Sequence, residues 1–389
     1  FQPISSDLSR SKARGNVPFG TITSLSESRL RFGQLAAGTD DGQVHVTRDG
    51  GLSWQDVGDG LPLDRWVSRV EWSQHVEGRL YLSLNGYRQD DDRAYLYASE
   101  DFGRSWRSIG AGLPAEALNL VREDPVNAEL LYVGSDRGVY ASLDRGGSWM
   151  ALAGGLPNVP VHDLIVHPRD RELIAGTHGR SAWVLDVLPL QELSAAVRSK
   201  AFHLFHLDPL QADRNWRREP DPWFDRDEYL PSLQGSLWAA AAGSVVLSLV
   251  DTDGQTLARF ERVVQAGLNS FEWNLQLDAE QALAAERLAL QKKVPEAERE
   301  QLRHQRYGES VRLGHRLYPL PGKYQLRAEL GGASSATPLE IKPPKPFEPR
   351  LAPLPKRRGD GGDALRTQAE PLPHPRAGAR GRAVTLPGR

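Results

Sequence analysis

Hydrophobic and polar residues alternate in short runs through the first half of the chain. The clearest are VSRVEWS (67–73), RLYLSLNG (79–86) and AYLYAS (94–99), then ALNLVRE (117–123), LLYVGSD (130–136) and GVYASLD (138–144). A period of two over five to eight residues predicts strands with one face buried. Between the runs an octet recurs: TRDGGLSW (47–54), SEDFGRSW (99–106) and SLDRGGSW (142–149), each followed at the same offset by Gly-Leu-Pro ending at Pro62, Pro114 and Pro157. Four strands to a unit and a repeat of about 43 to 52 residues match a propeller blade, while the absent 3.6-residue period excludes a helical solenoid. Four units result: the first through Trp54, the second from Val67 to Trp106, the third from Ala117 to Trp149, and the fourth from Val161 to about Leu193. The fourth has the strands but no octet. ISSDL at Ile4–Leu8 reads as the outer end of a preceding blade, so the propeller is expected to continue N-terminally and the natural start to be absent.

The pattern changes at 194. Residues 194–235 are rich in proline, charge and aromatics and read as a linker packed on the propeller (1–193). Residues 236–342 return to strands: SVVLSLVD, TLARFERV, AGLNSFEWNL, GKYQLRAEL and TPLEIKP read as an Ig-like β-sandwich. It is interrupted at 278–306 by strong helix formers, expected as a helical hairpin with Asp278 and Gln281 at capping-box spacing. Residues 343–389 hold ten Lys or Arg against four Asp or Glu and many prolines, the composition of a disordered tail. The fold class is therefore all-β: a propeller with four visible blades, part of a larger ring, plus a sandwich.

Composition narrows the chemistry. No cysteine among 389 residues excludes disulfides, thiolate metal sites and a cysteine nucleophile, and a net charge of −2 argues against nucleic-acid binding. No apolar run is long enough for a membrane span. In the octets Asp49, Asp101 and Asp144 are expected to tie a turn, with Trp54, Trp106 and Trp149 filling the space between blades; a feature stamped into each blade serves folding. The octets resemble the Asp-box, or BNR repeat, of sialidase-like and sortilin-type propellers. Together with HPRDRELIAGTHGRSAWVLD (167–186) they resemble the C-terminal half of bacterial sortilin-like propeller proteins, often labelled glycosyl hydrolases. AGLNSFEWNL and PGKYQLRAEL are similar to the flagellar hook-capping type of Ig-like domain.

Strand alternation places the octets, which join third to fourth strands, on one face. The opposite face then collects Asp40 and Asp41, the loop Tyr87–Arg93 with Arg88 and Asp91, Asp136 and Arg137, and His178 and Arg180, with Arg65, Trp66, Asn158 and His162. Pairing of the first two strands of the fourth unit brings His162 and Asp163 near His178 and Arg180 and sends His167, Arg169 and Asp170 to the other end. The group suits acid–base work, anion binding or capping of blade edges. Asp90, Asp91 and Asp92 read as a solvated loop, with a calcium ion the alternative their oxygens would suit; no cofactor is otherwise expected. Arg88, Arg137 and Arg180, on successive units, invite comparison with the arginines by which sialidases hold a carboxylate. The resemblance implies an exported binding protein, periplasmic or extracellular, recognising a polypeptide or glycan on this face. The alternative is a glycosidase whose catalytic residues lie partly in blades N-terminal to these.

Overall fold

The computed structural model describes residues 2–9, 20–62, 64–152, 155–213, 216, 230–293 and 307–345. It is mostly β, and its first four sheets are antiparallel and follow one another along the chain. The first sheet is β1 (Ile22–Glu27), β2 (Leu35–Thr39), β3 (Val44–Thr47) and β4 (Gln55–Asp56). The second is β5 (Trp66–Trp72), β6 (Leu80–Gly86), β7 (Asp91–Ser99) and β8 (Arg107–Ser108), and the third is β9 (Leu118–Glu123), β10 (Leu131–Ser135), β11 (Gly138–Ser142) and β12 (Met150–Ala151). The fourth sheet has three strands: β13 (Val161–His167), β14 (Glu172–Thr177) and β15 (Ala182–Asp186).

Each sheet hides its apolar residues against the next, as blades do. Val44, Val46 and Val57 share a cluster with Val67, Val70 and Leu82; Tyr81, Leu96 and Ile109 share the next with Leu118, Val121 and Val133. The first strands β1, β5, β9 and β13 pack successively and form the inner row. Side chains stitch this row: Ser24 Oγ accepts from the Val70 amide at 2.9 Å, and Thr23 Oγ1 donates to the Val67 carbonyl at 2.8 Å. Among the described residues the array stays open at both ends, with Leu25 on β1 and Ile165 and Val184 on the fourth sheet left exposed.

The octets answer their own spacing. Asp49 accepts bonds from Thr47 Oγ1 (2.8 Å), the Ser53 amide (2.9 Å) and Ser53 Oγ (2.6 Å), and Asp101 and Asp144 repeat the set with Ser99 and Ser105, and Ser142 and Ser148. The opening hydroxyl, which sequence reasoning passed over, also accepts the amide of Gly51, Gly103 or Gly146. That glycine has positive φ in all three copies, and a Cβ there would strike Ile4, Val57 or Ile109. The indole then reaches to the same residue: Trp54, Trp106 and Trp149 donate to the carbonyls of Ile4, Val57 and Ile109 at 2.7–2.8 Å. Ile4 thus stands where the ends of β4 and β8 stand, as ISSDL implied.

Hydrogen bonds from Ser53 Oγ, the Ser53 amide and Thr47 hold the fully exposed Asp49 carboxyl down to about 2. Because its value is lowered, the contribution of this turn is present above the ordinary carboxylate range and is lost as pH falls through about 2. Ser53→Ala is expected to move the Asp49 titration back toward 3.8, read by carboxyl NMR shifts. An unmoved titration would show that the serine is not what holds it.

After β15 the octet is replaced by helix α1 (Leu188–Glu192), followed by α2 (Ala195–Arg198). Val187, Leu190 and Leu193 join Phe205 and Leu268 in the core of the third and fourth sheets. Gln191 Nε2 donates to Asp124 at 2.9 Å, pinning α1 to the third sheet. The second unit has a three-stranded sheet of β16 (Phe202–Leu204), β18 (Leu233–Ala239) and β21 (Gly267–Trp273). A five-stranded sheet runs β17 (Leu210–Gln211), β23 (Ala333–Lys342), β22 (Gly322–Leu330), β19 (Gly243–Val250) and β20 (Thr256–Val264). β16 and β17 lie within the stretch read as linker: FHLFHL is an alternation whose Phe202, Leu204 and Leu207 are buried in the sandwich core. Helix α3 (Ala279–Lys293) opens where expected, with the Gln281 amide donating to Asp278 at 2.9 Å; α4 (Gly308–Arg312) follows later. The second arm of the expected hairpin and the tail beyond 345 lie outside the described residues. No helix among the described residues is long and apolar enough to cross a membrane.

Candidate functional site

The inner row carries one irregularity four times. Pairing to the second strand skips a residue between Ile22 and Ser24, Val67 and Arg69, Leu118 and Leu120, and Val161 and Asp163, so Thr23, Ser68, Asn119 and His162 are bulged. A bulge twists its strand and re-aims the side chain, and here it does so at the end opposite the octets. All four are polar. Ser68 Oγ meets Ser83 Oγ at 2.8 Å, and Asn119 bridges Asn85 (3.1 Å) to Asp136 (2.9 Å). The His162 ring stands edge-on to His178, centroids 5.5 Å apart.

Just past the bulges, charges from three inner strands converge. Arg69 of β5 reaches Asp163 of β13 at 2.9 Å, and Arg122 of β9 approaches the same oxygen at 3.6 Å. Arg122 is fixed behind by Glu71 at 2.6 Å and by the Leu164 carbonyl at 2.9 Å. Glu71 is buried, and burial pushes its carboxyl up to about 7 against the pull of Arg122 and the Glu123 amide. Glu123, also buried, accepts from Ser73 Oγ at 2.9 Å and Tyr81 Oη at 3.1 Å. Asp163 is the outermost of the acids, its side chain 52% exposed, while Arg69 Nε is buried without a partner among the described residues.

The expected residues fall in place unevenly. His162 and His178 do meet, but Asp163 turns to the arginines of neighbouring blades. Arg180 is exposed, with its carbonyl taken by the Trp183 indole. Arg88 lies over the Trp66 ring at 5.1 Å and 4.0 Å from Asp40, whose carboxylate accepts from the Thr21 amide. Asp41 is buried and accepts from Thr39 Oγ1. Asp91 is held by Arg65 (2.8 Å), Arg93 (2.8 Å) and Tyr95 Oη (2.7 Å), and the bonds from Arg93, Tyr95 and Arg65 keep its carboxyl well below the usual range despite partial desolvation. A carboxylate so engaged has little left for calcium, and no group of three or more acids and histidines among the described residues is placed to hold a metal ion. Arg137 is exposed. His167 pairs with Asp170 at 3.3 Å at the octet end, as alternation requires. Sequence reasoning missed Arg69, Glu71, Arg122 and Glu123; only the odd charges inside VSRVEWS and ALNLVRE hinted at them.

No family model matches this chain, and no curated protein matches it. Among solved structures it is similar to the GH74 xyloglucanase from Xanthomonas campestris, at 14% identity and a TM-score of 0.36, over 64% of this chain and 38% of that one. It is also similar to an ancestral GH74 enzyme (14%, TM-score 0.35, 66% and 33%) and to YCF48 bound to D1 peptide (14%, TM-score 0.33, 64% and 78%). All three are β-propeller folds. The matched part spans only 38% and 33% of the two GH74 enzymes. Likeness at this level carries nothing about substrate or partner.

Proposed function

We propose that the chain is part of an exported, sortilin-like Asp-box propeller protein that binds a polypeptide or glycan on the face opposite the octets, with an Ig-like sandwich behind it. The observation that carries this reading is the convergence of Arg69, Arg122 and Asp163, with the His162–His178 pair, at the bulged ends of successive inner strands. Ligands of blade folds sit where loops and inner strands of several blades meet. The charged lining, and the guanidinium that covers Trp66, favour a polypeptide over a sugar ring stacked on the indole. The acids favour binding over turnover. Glycoside hydrolysis asks for two carboxyls facing one bond, whereas Glu71 and Glu123 are buried, Asp91 is saturated and Asp163 is shared by two arginines.

The test is a screen on peptide and glycan arrays, followed by titration of the best hit. Arg69→Ala and His178→Ala are each expected to weaken it about tenfold or more, the worth of a charge-assisted hydrogen bond. His167→Ala and Arg169→Ala, at the octet end, should leave it unchanged. Tight binding untouched by the first pair would move the site elsewhere, and turnover of a glycoside or sialoside lost in Asp163→Asn would favour the enzyme.

A further inference from the structure

The fourth sheet lacks the strand that completes each of its predecessors. β4, β8 and β12 pair with the outer edges of β3, β7 and β11, and three residues after each octet tryptophan's position an aliphatic residue is buried: Val57, Ile109 and Leu152. The amide of that residue donates to Val44, Leu96 and Val139, at 2.8–2.9 Å. Register through β10 and β14 makes Ala182 the equivalent of Val139, and Trp183 and Val184 the equivalents of Tyr140 and Ala141, which pair with Ala151 and Met150. Among the described residues nothing pairs with the outer edge of β15. Its side chains are exposed along most of its length, with Trp183 and Val184 among them and only Asp186 to blunt it.

The side-chain socket beside this edge is open too. An apolar groove between the third and fourth sheets is lined by Val139, Leu152, Leu156, Leu173, Ala175 and Trp183, continuing their shared core. In the three earlier blades this place takes the octet indole, which donates to Ile4, Val57 and Ile109. The next carbonyl in that series is Leu152's, and no described group donates to it.

We infer that the edge of β15 is a second binding site, which accepts an extended peptide carrying an aromatic residue and, three positions on, an aliphatic one. The peptide adds as the fourth strand, pairs with Trp183 and Val184, gives the aliphatic residue's amide to the Ala182 carbonyl and sets its ring in the groove under Leu152. This is strand addition: main-chain bonds supply affinity, and the groove supplies selection. The chemistry of the occupant is read from the chain itself, in which Trp106 reaches the first blade in this way while the amide of Ile109 pairs with β7 of the second.

A synthetic peptide of residues 105–110, titrated into the full chain by calorimetry, is the probe. Binding is expected to weaken about tenfold when the amide of its Ile109 is N-methylated, the worth of one lost main-chain bond, and at least as much when its Trp106 is replaced by alanine. Leu156→Asp in the protein, at the groove rim, should weaken the parent peptide while the thermal midpoint holds. Since the peptide changes need no refolded variant, the proposal falls if methylated and parent peptides bind alike, or if neither binds at millimolar concentration. Dimerisation of the chain that the peptide reverses would assign the edge to a second copy and overturn the proposal as well.

Discussion

Arg122→Leu is expected to destabilise the blade unit by about 3 kcal/mol at neutral pH, the cost of breaking a buried ion pair from one side. The guanidinium ties Glu71, the Leu164 carbonyl and, more loosely, Asp163, and so joins three successive inner strands. The pH dependence follows from the sign of the Glu71 shift. Its carboxyl is raised by burial, so the stability tied to keeping it protonated is present below the ordinary carboxylate range and fades as pH climbs through about 7. Arg122 offsets that fading by giving the ionised form a partner. Without it the loss should grow above pH 7, and Glu71→Gln should recover much of it in the double variant, since no charge is left to bury. Denaturation midpoints of the four proteins at pH 6 and pH 8 check this. An Arg122→Leu penalty unchanged by pH and unrelieved by Glu71→Gln would show that the pair does not govern the inner row.

Trp149→Ala is expected to cost about 3 to 5 kcal/mol, as a large side chain is withdrawn from between two sheets and the space is only partly refilled. Trp149→Phe separates the two roles of the indole. The ring area is largely kept while the bond to the Ile109 carbonyl is lost, so the cost should be about 1 kcal/mol. Circular dichroism during denaturant titration measures both. If phenylalanine costs as much as alanine, the hydrogen bond rather than the packing dominates, and the inter-blade role assigned to the ring is wrong.

What could be read beforehand divides along physical lines. Asp49, Asp101 and Asp144 were legible because their bonds are local and thrice repeated, so spacing alone states the geometry. The face opposite them was legible as well, because antiparallel strands alternate without exception. The bulges were not: one inserted residue in a run such as VHDLIVH looks like noise in a period of two, yet it turns His162 aside and leaves Asp163 facing two arginines. The Glu71–Arg122 pair was hidden for a related reason. Its partners lie 51 positions apart, and only the packing of β5 on β9 makes a glutamate inside an apolar run intelligible. FHLFHL escaped because three-residue strands are shorter than the window in which alternation stands out.

The octets hold one more consequence, for how freely such a protein can be rewritten. Apart from the indole, the glycine pressed against the preceding blade and the fourth residue's amide, which Gly50, Phe102 and Arg145 give to the carbonyls of Gly33, Gly78 and Glu129, the bonds that shape each turn begin and end inside the eight residues. The tip between them is under no such obligation: Leu52, Arg104 and Gly147 occupy the same place, and Leu52 is 90% exposed. Each turn is in effect a clasp with a blank face, and the row of them gives a surface on which labels, charges or short insertions can be mounted at blade-to-blade spacing while the opposite face keeps its chemistry.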